Sequence, residues 1–184
     1  MKNSNHNRIC PVEKAGALDS FFRKLLQNPR KILSGYIKPG MTVSDIGCGP
    51  GYFTIPASAL AGPDGEIIAA DLQQGMLDIL EKKIKEINTD NIVLRKCSGS
   101  SLEISEKSDF ILIFYIMHEI KDKDRFFKEL REILKPGGRI LIAEPVFHVS
   151  KNEFRKDMEK MKTFGFSIKK GPGIFFTRTA EASL

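Results

Sequence analysis

The sequence predicts an α/β fold: a doubly wound sheet of seven strands, mostly parallel, with an antiparallel C-terminal hairpin strand. Three observations carry this prediction. An apolar run from Met41 to Ile46 leads directly into glycines at 47, 49 and 51, and a helical pattern follows. Strand-length apolar runs then alternate with amphipathic segments of helical length, as parallel βαβ units require. Near the end, Phe166 to Lys170 and Ile174 to Thr179 flank Gly171-Pro172-Gly173 and read as a terminal hairpin.

The stretch Val43-Ser44-Asp45-Ile46-Gly47-Cys48-Gly49-Pro50-Gly51 organises the rest. Glycine lets the backbone turn sharply and lets a ligand approach the peptide N–H groups. The helix after the turn directs its N-terminal amides, and the positive end of its dipole, at whatever sits there. This places a nucleotide-type cofactor site at the carboxyl end of the first strand. The spacing is G-x-G-x-G, because Tyr52 stands where a dinucleotide fingerprint has its third glycine. Asp45, just before the first glycine, suits a cofactor with a positive charge and would repel a pyrophosphate.

Asp45-Ile46-Gly47-Cys48-Gly49-Pro50-Gly51 resembles the first motif of class I S-adenosylmethionine (SAM)-dependent methyltransferases. Three features in register extend the likeness: Asp71 closing a second strand, Asp109 to Tyr115 as a fourth, and Leu134-Lys135-Pro136-Gly137-Gly138-Arg139 before a fifth. The resemblance covers roughly residues 28–144. It leans towards the small-molecule enzymes related to ubiquinone and menaquinone biosynthesis. It implies a Rossmann-like core, SAM as cofactor, and a cofactor set of Asp45, Gly47, Cys48, Gly49, Gly51, Asp71, Leu72, Met76, Ser98, Gly99, Ser100 and Tyr115.

At 184 residues the chain is expected to form one domain. Residues 1–15 read as a loose tail, 16–37 as N-terminal helices and 38–184 as the core. In the tail no apolar signal region follows Met1, so a cytoplasmic location is expected. No apolar run reaches the length of a membrane span. Cys10, Cys48 and Cys97 lack metal-like spacing, and their odd number argues against a disulfide framework. The net charge of +6 is spread over helix faces, which reads as solvated surface and not as a nucleic-acid patch.

Along the chain, Leu18, Phe21, Phe22, Leu25 and Leu26 make an apolar helical stripe. Asn28-Pro29 reads as cap and first residue of a second short helix, running to Ser34 or Tyr36. The two helices either cover the site or cover a sheet face. After the glycine turn a helix is expected from Tyr52 to Ala61, bent or started late by Pro56. Glu66 to Ala70 forms strand two, ending at Asp71. A carboxylate there has two oxygens for two ribose hydroxyls, although a lone acid at a strand end also serves as a helix cap. Leu72 is placed to flank an adenine. Met76, Leu80, Ile84 and Ile87 line one buried helix face, with Met76 close enough to touch the cofactor.

Asn91 to Cys97 is strand three, and Ser98-Gly99-Ser100-Ser101 its loop. The resembling family commonly has an acid here for the adenine amino group. This chain has hydroxyls, and no carboxylate before Glu103. Asp109 to Met117 reads as a central buried strand, followed by His118-Glu119 at the crevice. His118 and Tyr115 are the catalytic candidates. His118 can take a proton near neutral pH, yet an activated sulfonium donor needs alignment more than a base. Asp122 to Leu134 is an amphipathic helix ended by Lys135-Pro136-Gly137-Gly138, and Arg139 to Ala143 is strand five. Glu144 closes it near the crevice, to meet substrate or cap a turn. Asn152 to Gly165 is a further helix. Ala180 to Leu184 reads as a tail with little to hold it.

The function expected is methyl transfer from SAM to a small-molecule acceptor by direct in-line displacement. Nucleic-acid acceptors are disfavoured. Phe114-Tyr115-Ile116-Met117-His118 lacks the Pro-Pro-aromatic signature of base-amine enzymes, and no cysteine follows strand four for ring-carbon attack. No metal is called for. Two alternatives stay open: a non-catalytic SAM-binding module or partner subunit, and a NAD-dependent oxidoreductase, against which Tyr52 and Asp45 count. The acceptor and the oligomeric state are not readable from the residues.

Overall fold

The computed structural model describes residues 27–184. The N-terminal tail and the stripe from Leu18 to Leu26 lie outside the described residues. Asn28 caps helix α1 (Pro29–Leu33), its side chain accepting the Lys31 N–H with proline at the first helical position. Then come β1 (Thr42–Ile46), α2 (Thr54–Ala61), β2 (Glu66–Asp71), α3 (Gln74–Ile87), β3 (Ile92–Lys96) and β4 (Ser108–Phe114). A short 3₁₀ turn (Met117–Glu119) leads to α4 (Lys123–Ile133), β5 (Leu134–Pro145), α5 (Lys151–Thr163), β6 (Ser167–Lys170) and β7 (Thr177–Ser183).

The seven strands form one sheet in the order β3-β2-β1-β4-β5-β7-β6. The first five in that order run parallel, and β7 lies antiparallel to both β5 and β6. The predicted seven-stranded, mostly parallel α/β fold is therefore the one observed. Strand order reverses between β1 and β4, which opens a crevice beyond their carboxyl ends.

Period-two alternation sends side chains to both faces of the central strands. On β4, Ile111 and Ile113 join Phe126, Phe127 and Leu130 of α4, while Phe110, Leu112 and Phe114 pack with Leu33, Phe53 and Ala57 from α1 and the α2 region. Ala69 meets Leu77 and Leu80 of α3. Covered on both faces, the sheet ends are rigid mounts for the loops above them.

Of the two outcomes expected of Pro56, the late start is the one observed: helix α2 starts at Thr54, so Pro56 falls in its first turn, where a missing N–H costs no helical bond. Three expectations are corrected. Strand β4 stops at Phe114, not Met117, because Tyr115 adopts φ 67° and turns the chain out of the sheet. Lys135 to Gly138 do not terminate a helix ahead of β5. They belong to β5, which pairs Leu134 with Ser108 and then shifts register, with Gly137 at φ 76° absorbing the irregularity. Ala180 to Ser183 are not a loose tail. Ala182 pairs with Ile140 on one side and Ile168 on the other and is buried, because small residues fit between two strands.

Candidate functional site

The turn after β1 is tied down before any ligand is considered. The N–H groups of Gly47 and Cys48 both donate to the Ala70 carbonyl, at 2.8 and 3.0 Å. Gly47 and Gly51 adopt φ of 74° and 89°, and a Cβ on either would collide, with Ile116 at 2.3 Å or with Leu80 at 2.4 Å. Gly49 differs. Its φ is 53° and a Cβ there would meet nothing within 4 Å, so its open side faces space that a ligand can occupy.

Asp71, at the end of β2, reaches across to this turn. Its Oδ2 accepts the Gly49 N–H at 2.9 Å and its Oδ1 the Gln73 N–H at 2.8 Å. Burial raises its pKa, against the pull of those N–H groups and the Lys96 charge. Each oxygen keeps a further lone pair for an incoming hydroxyl. Asp45 lies deeper, 3 % exposed, and its Oδ2 accepts the Thr54 hydroxyl at 2.6 Å. Burial pushes its carboxyl up to about 6, and the Asp71 charge adds to the rise. Two carboxyls thus flank one turn, close enough that the charge of Asp71 raises the pKa of Asp45, an arrangement that favours a positively charged ligand.

A cavity of about 460 Å³ opens here, within the usual size range for small-molecule sites. All the cofactor residues expected from the sequence line it except Gly51, which packs on Leu80. The thiols of Cys48 and Cys97 line it too. Burial raises Cys48 well above an ordinary thiol and Cys97 to about 12, so both stay protonated and neither is a nucleophile. In the loop after β3, Ser98 Oγ bonds Ser100 Oγ at 3.2 Å and donates to Glu103 Oε1 at 3.1 Å.

Glu129 and Arg125 of α4 also line the cavity, and sequence reasoning missed them. Glu129 Oε2 accepts the Leu102 N–H at 2.8 Å, while its Oε1 takes Arg125 Nε at 2.9 Å. The loop that lacks an acid of its own receives one from a helix. The readable signal was the Arg125/Glu129 pair at i, i+4 on a helix starting just beyond β4.

The catalytic candidates separate. Tyr115 lines the cavity, and its hydroxyl is 2.6 Å from Thr177 Oγ1 and accepts from Gln27 Nε2. His118 does not line it. Its Nδ1 is 2.5 Å from Glu144 Oε2, and Glu144 Oε1 accepts the Met117 N–H at 2.9 Å. Glu144, 1 % exposed, thereby ties the 3₁₀ turn after β4 to the end of β5.

A family model for the methyltransferase domain matches residues 37–173. The chain belongs to this methyltransferase-domain family. A demethylmenaquinone methyltransferase from Lactobacillus johnsonii is 34 % identical over 76 % of this chain and 54 % of its own length. The ubiquinone/menaquinone biosynthesis C-methyltransferase UbiE of Shewanella frigidimarina is 27 % identical over 79 % of this chain and 57 % of its own. The chain spans about half the length of the curated relatives it matches. The crystal structure of a SAM-dependent methyltransferase from Aquifex aeolicus superposes with a TM-score of 0.84 at 22 % identity, covering 95 % of this chain and 98 % of that one. At that identity the likeness speaks for the fold. The glycine turn, both aspartates and the cavity all lie inside the matched methyltransferase region.

Proposed function

We propose that this chain is a SAM-dependent methyltransferase acting on a small-molecule acceptor. One observation carries the reading. The Asp71 carboxylate, bonded to the Gly49 amide, faces the same cavity as the glycine turn and the buried Asp45. That donor and acceptor set fits a cationic adenosyl ligand. The names of the curated relatives support a small acceptor.

On this reading Asp45 and Gly47, Cys48 and Gly49 hold the amino-acid part of the cofactor, while Gly51 shapes the turn against Leu80. Asp71 takes the ribose hydroxyls. Leu72, Met76, Ser98, Gly99 and Ser100 surround the adenine, with Glu129 behind their loop. Bound there, SAM would supply a methyl group on a positively charged sulfur, activated for direct displacement. The contribution of the chain is alignment, which can supply much of the acceleration. Tyr115 presents its ring at the acceptor end of the cavity. His118, clamped by Glu144, positions the turn that carries Ile116 and Glu119 into the cavity wall. The methyltransferase domain extends over residues 1–184, with residues 38–184 as its core. It works in the cytoplasm without nucleic acid. Among the described residues no helix is long and apolar enough to cross a membrane.

Calorimetric titration with SAM and with its demethylated product tests the proposal. Micromolar binding of both, with no response to NAD, is expected. Failure to bind either would remove it, and tight NAD binding would favour the oxidoreductase.

A further inference from the structure

Three large aromatic side chains stand in solvent at one end of the sheet. Phe147 follows β5 and is 76 % exposed, while Phe175 and Phe176 precede β7 at 50 % and 52 %. They form one continuous patch, since the Phe147 and Phe176 rings are 5.1 Å apart and those of Phe175 and Phe176 4.1 Å. The patch is built into the backbone. Phe176 adopts φ 51°, a left-handed conformation costly for a bulky side chain, and its carbonyl accepts the Val146 N–H at 3.0 Å. Strain of this kind persists where the surroundings enforce it, so the aromatic tip is held in place by the two loops. The two loops are joined to the cavity wall as well. Thr177, the next residue, bonds the Tyr115 hydroxyl and the Phe175 carbonyl.

The two segments that carry the patch are basic, and Glu181, opposite Lys169 on β7, is engaged by the Tyr36 hydroxyl and Arg139. Residues 145–152 and 164–180 carry Lys151, Lys169, Lys170 and Arg178 and no carboxylate. Lys151, Lys169 and Lys170 are exposed, and Arg178 Nε is held on the Val149 carbonyl at 2.9 Å. Exposed phenylalanines on loops whose flanking segments carry exposed lysines have the composition of a surface that settles into a lipid headgroup layer. The rings enter the acyl boundary and the cations meet anionic headgroups. A protein partner would be expected to bring carboxylates to the same cations. The continuous, strained aromatic tip favours a fluid apolar phase.

We propose that Phe147, Phe175 and Phe176, with Lys151, Lys169 and Lys170, form a docking face for an anionic lipid bilayer, next to the acceptor end of the cavity. The inference goes beyond methyl transfer, and its test contains no SAM. The full chain is sedimented with vesicles of phosphatidylcholine alone, or of phosphatidylcholine with phosphatidylglycerol. Binding to the anionic vesicles, weakened by salt, is expected. A Phe147→Ser/Phe175→Ser/Phe176→Gly variant is expected to bind them at least about tenfold more weakly, and Lys169→Gln/Lys170→Gln to lose most of the salt dependence. Phe147→Ser alone, at the most exposed position, serves if the triple variant does not fold. SAM titration of the same variants keeps the two proposals separable. Absence of vesicle binding by the parent would overturn the inference, as would undiminished binding by the phenylalanine variants. A concentration-dependent dimer abolished by those variants, without vesicle binding, would assign the face to a second copy instead.

Discussion

Asp71 Oδ2 and the Gly49 amide, 22 residues apart in sequence, are joined by a hydrogen bond of 2.9 Å. This bond fixes the ends of two neighbouring strands as one unit, so the carboxylate has two tasks: holding the turn and facing the cavity. Asp71→Ala is expected to lower SAM affinity on the order of 100-fold, as loss of hydrogen bonds to a charged group implies. Stability should fall by only about 1–2 kcal/mol, because the N–H groups left behind can reach water in the opened site. Asp71→Asn keeps one acceptor oxygen but sets an amide N–H₂ against a backbone donor, and should fall between. Titration calorimetry and thermal unfolding measure the two effects separately.

Gly47 and Gly49 make a matched pair with opposite expected outcomes. A Cβ at 47 meets Ile116 at 2.3 Å, so Gly47→Ala should destabilise the free protein by about 2–4 kcal/mol through strain and overpacking. A Cβ at 49 meets nothing within 4 Å. Gly49→Ala should therefore cost only the left-handed backbone penalty, about 1 kcal/mol, while its methyl group enters the cavity and lowers ligand affinity. Denaturant melts of both variants, set beside SAM titrations, distinguish them. Equal melts would mean that the turn rearranges.

The carboxyl of Asp45, raised to about 6 by burial, makes a pH prediction in two parts. Its folded pKa lies above its unfolded one, so folding favours the protonated form. Stability from this group is present below about pH 4 and is lost as pH rises through about 6. Asp45→Asn should thus stabilise the ligand-free protein by about 3 kcal/mol at pH 8 and add almost nothing at pH 4. A cationic ligand prefers the ionised carboxylate, so SAM affinity should weaken as pH falls through 6. In the Asn variant it should be low at every pH. Unfolding and binding, each followed from pH 4 to 8, test both parts.

Glu144 is buried and accepts from both Met117 N–H and His118. Glu144→Ala leaves that N–H without a partner and should cost about 2–3 kcal/mol of stability. Glu144→Gln retains an acceptor for Met117 and should cost less. His118→Asn is expected to leave SAM affinity within about twofold of the parent, because the ring stands outside the cavity wall. A large fall in turnover with unchanged SAM affinity would instead assign His118 a role towards the acceptor.

Local pattern was enough for the sheet and for most of the cofactor wall. Strand one, its glycines and the acid closing strand two are encoded within short windows, where alternation, turn residues and spacing act directly on the backbone. For that reason Asp45, Gly49 and Asp71 could be named together before any coordinate was known. What required the folded chain was every feature made by distant segments meeting. Glu129 reaches the loop after β3 from α4, Glu144 holds a turn 27 residues earlier in sequence, and the alanines of β7 are buried only because β5 and β6 flank them. The same is true of the exposed phenylalanines: a linear reading assigned Phe175 and Phe176 to an ordinary hairpin, and only the folded chain brings Phe147 against Phe176. Side-chain type sets what a residue can bond or bury. Which partner it finds is decided by the packing of elements remote in sequence, and that information is not local.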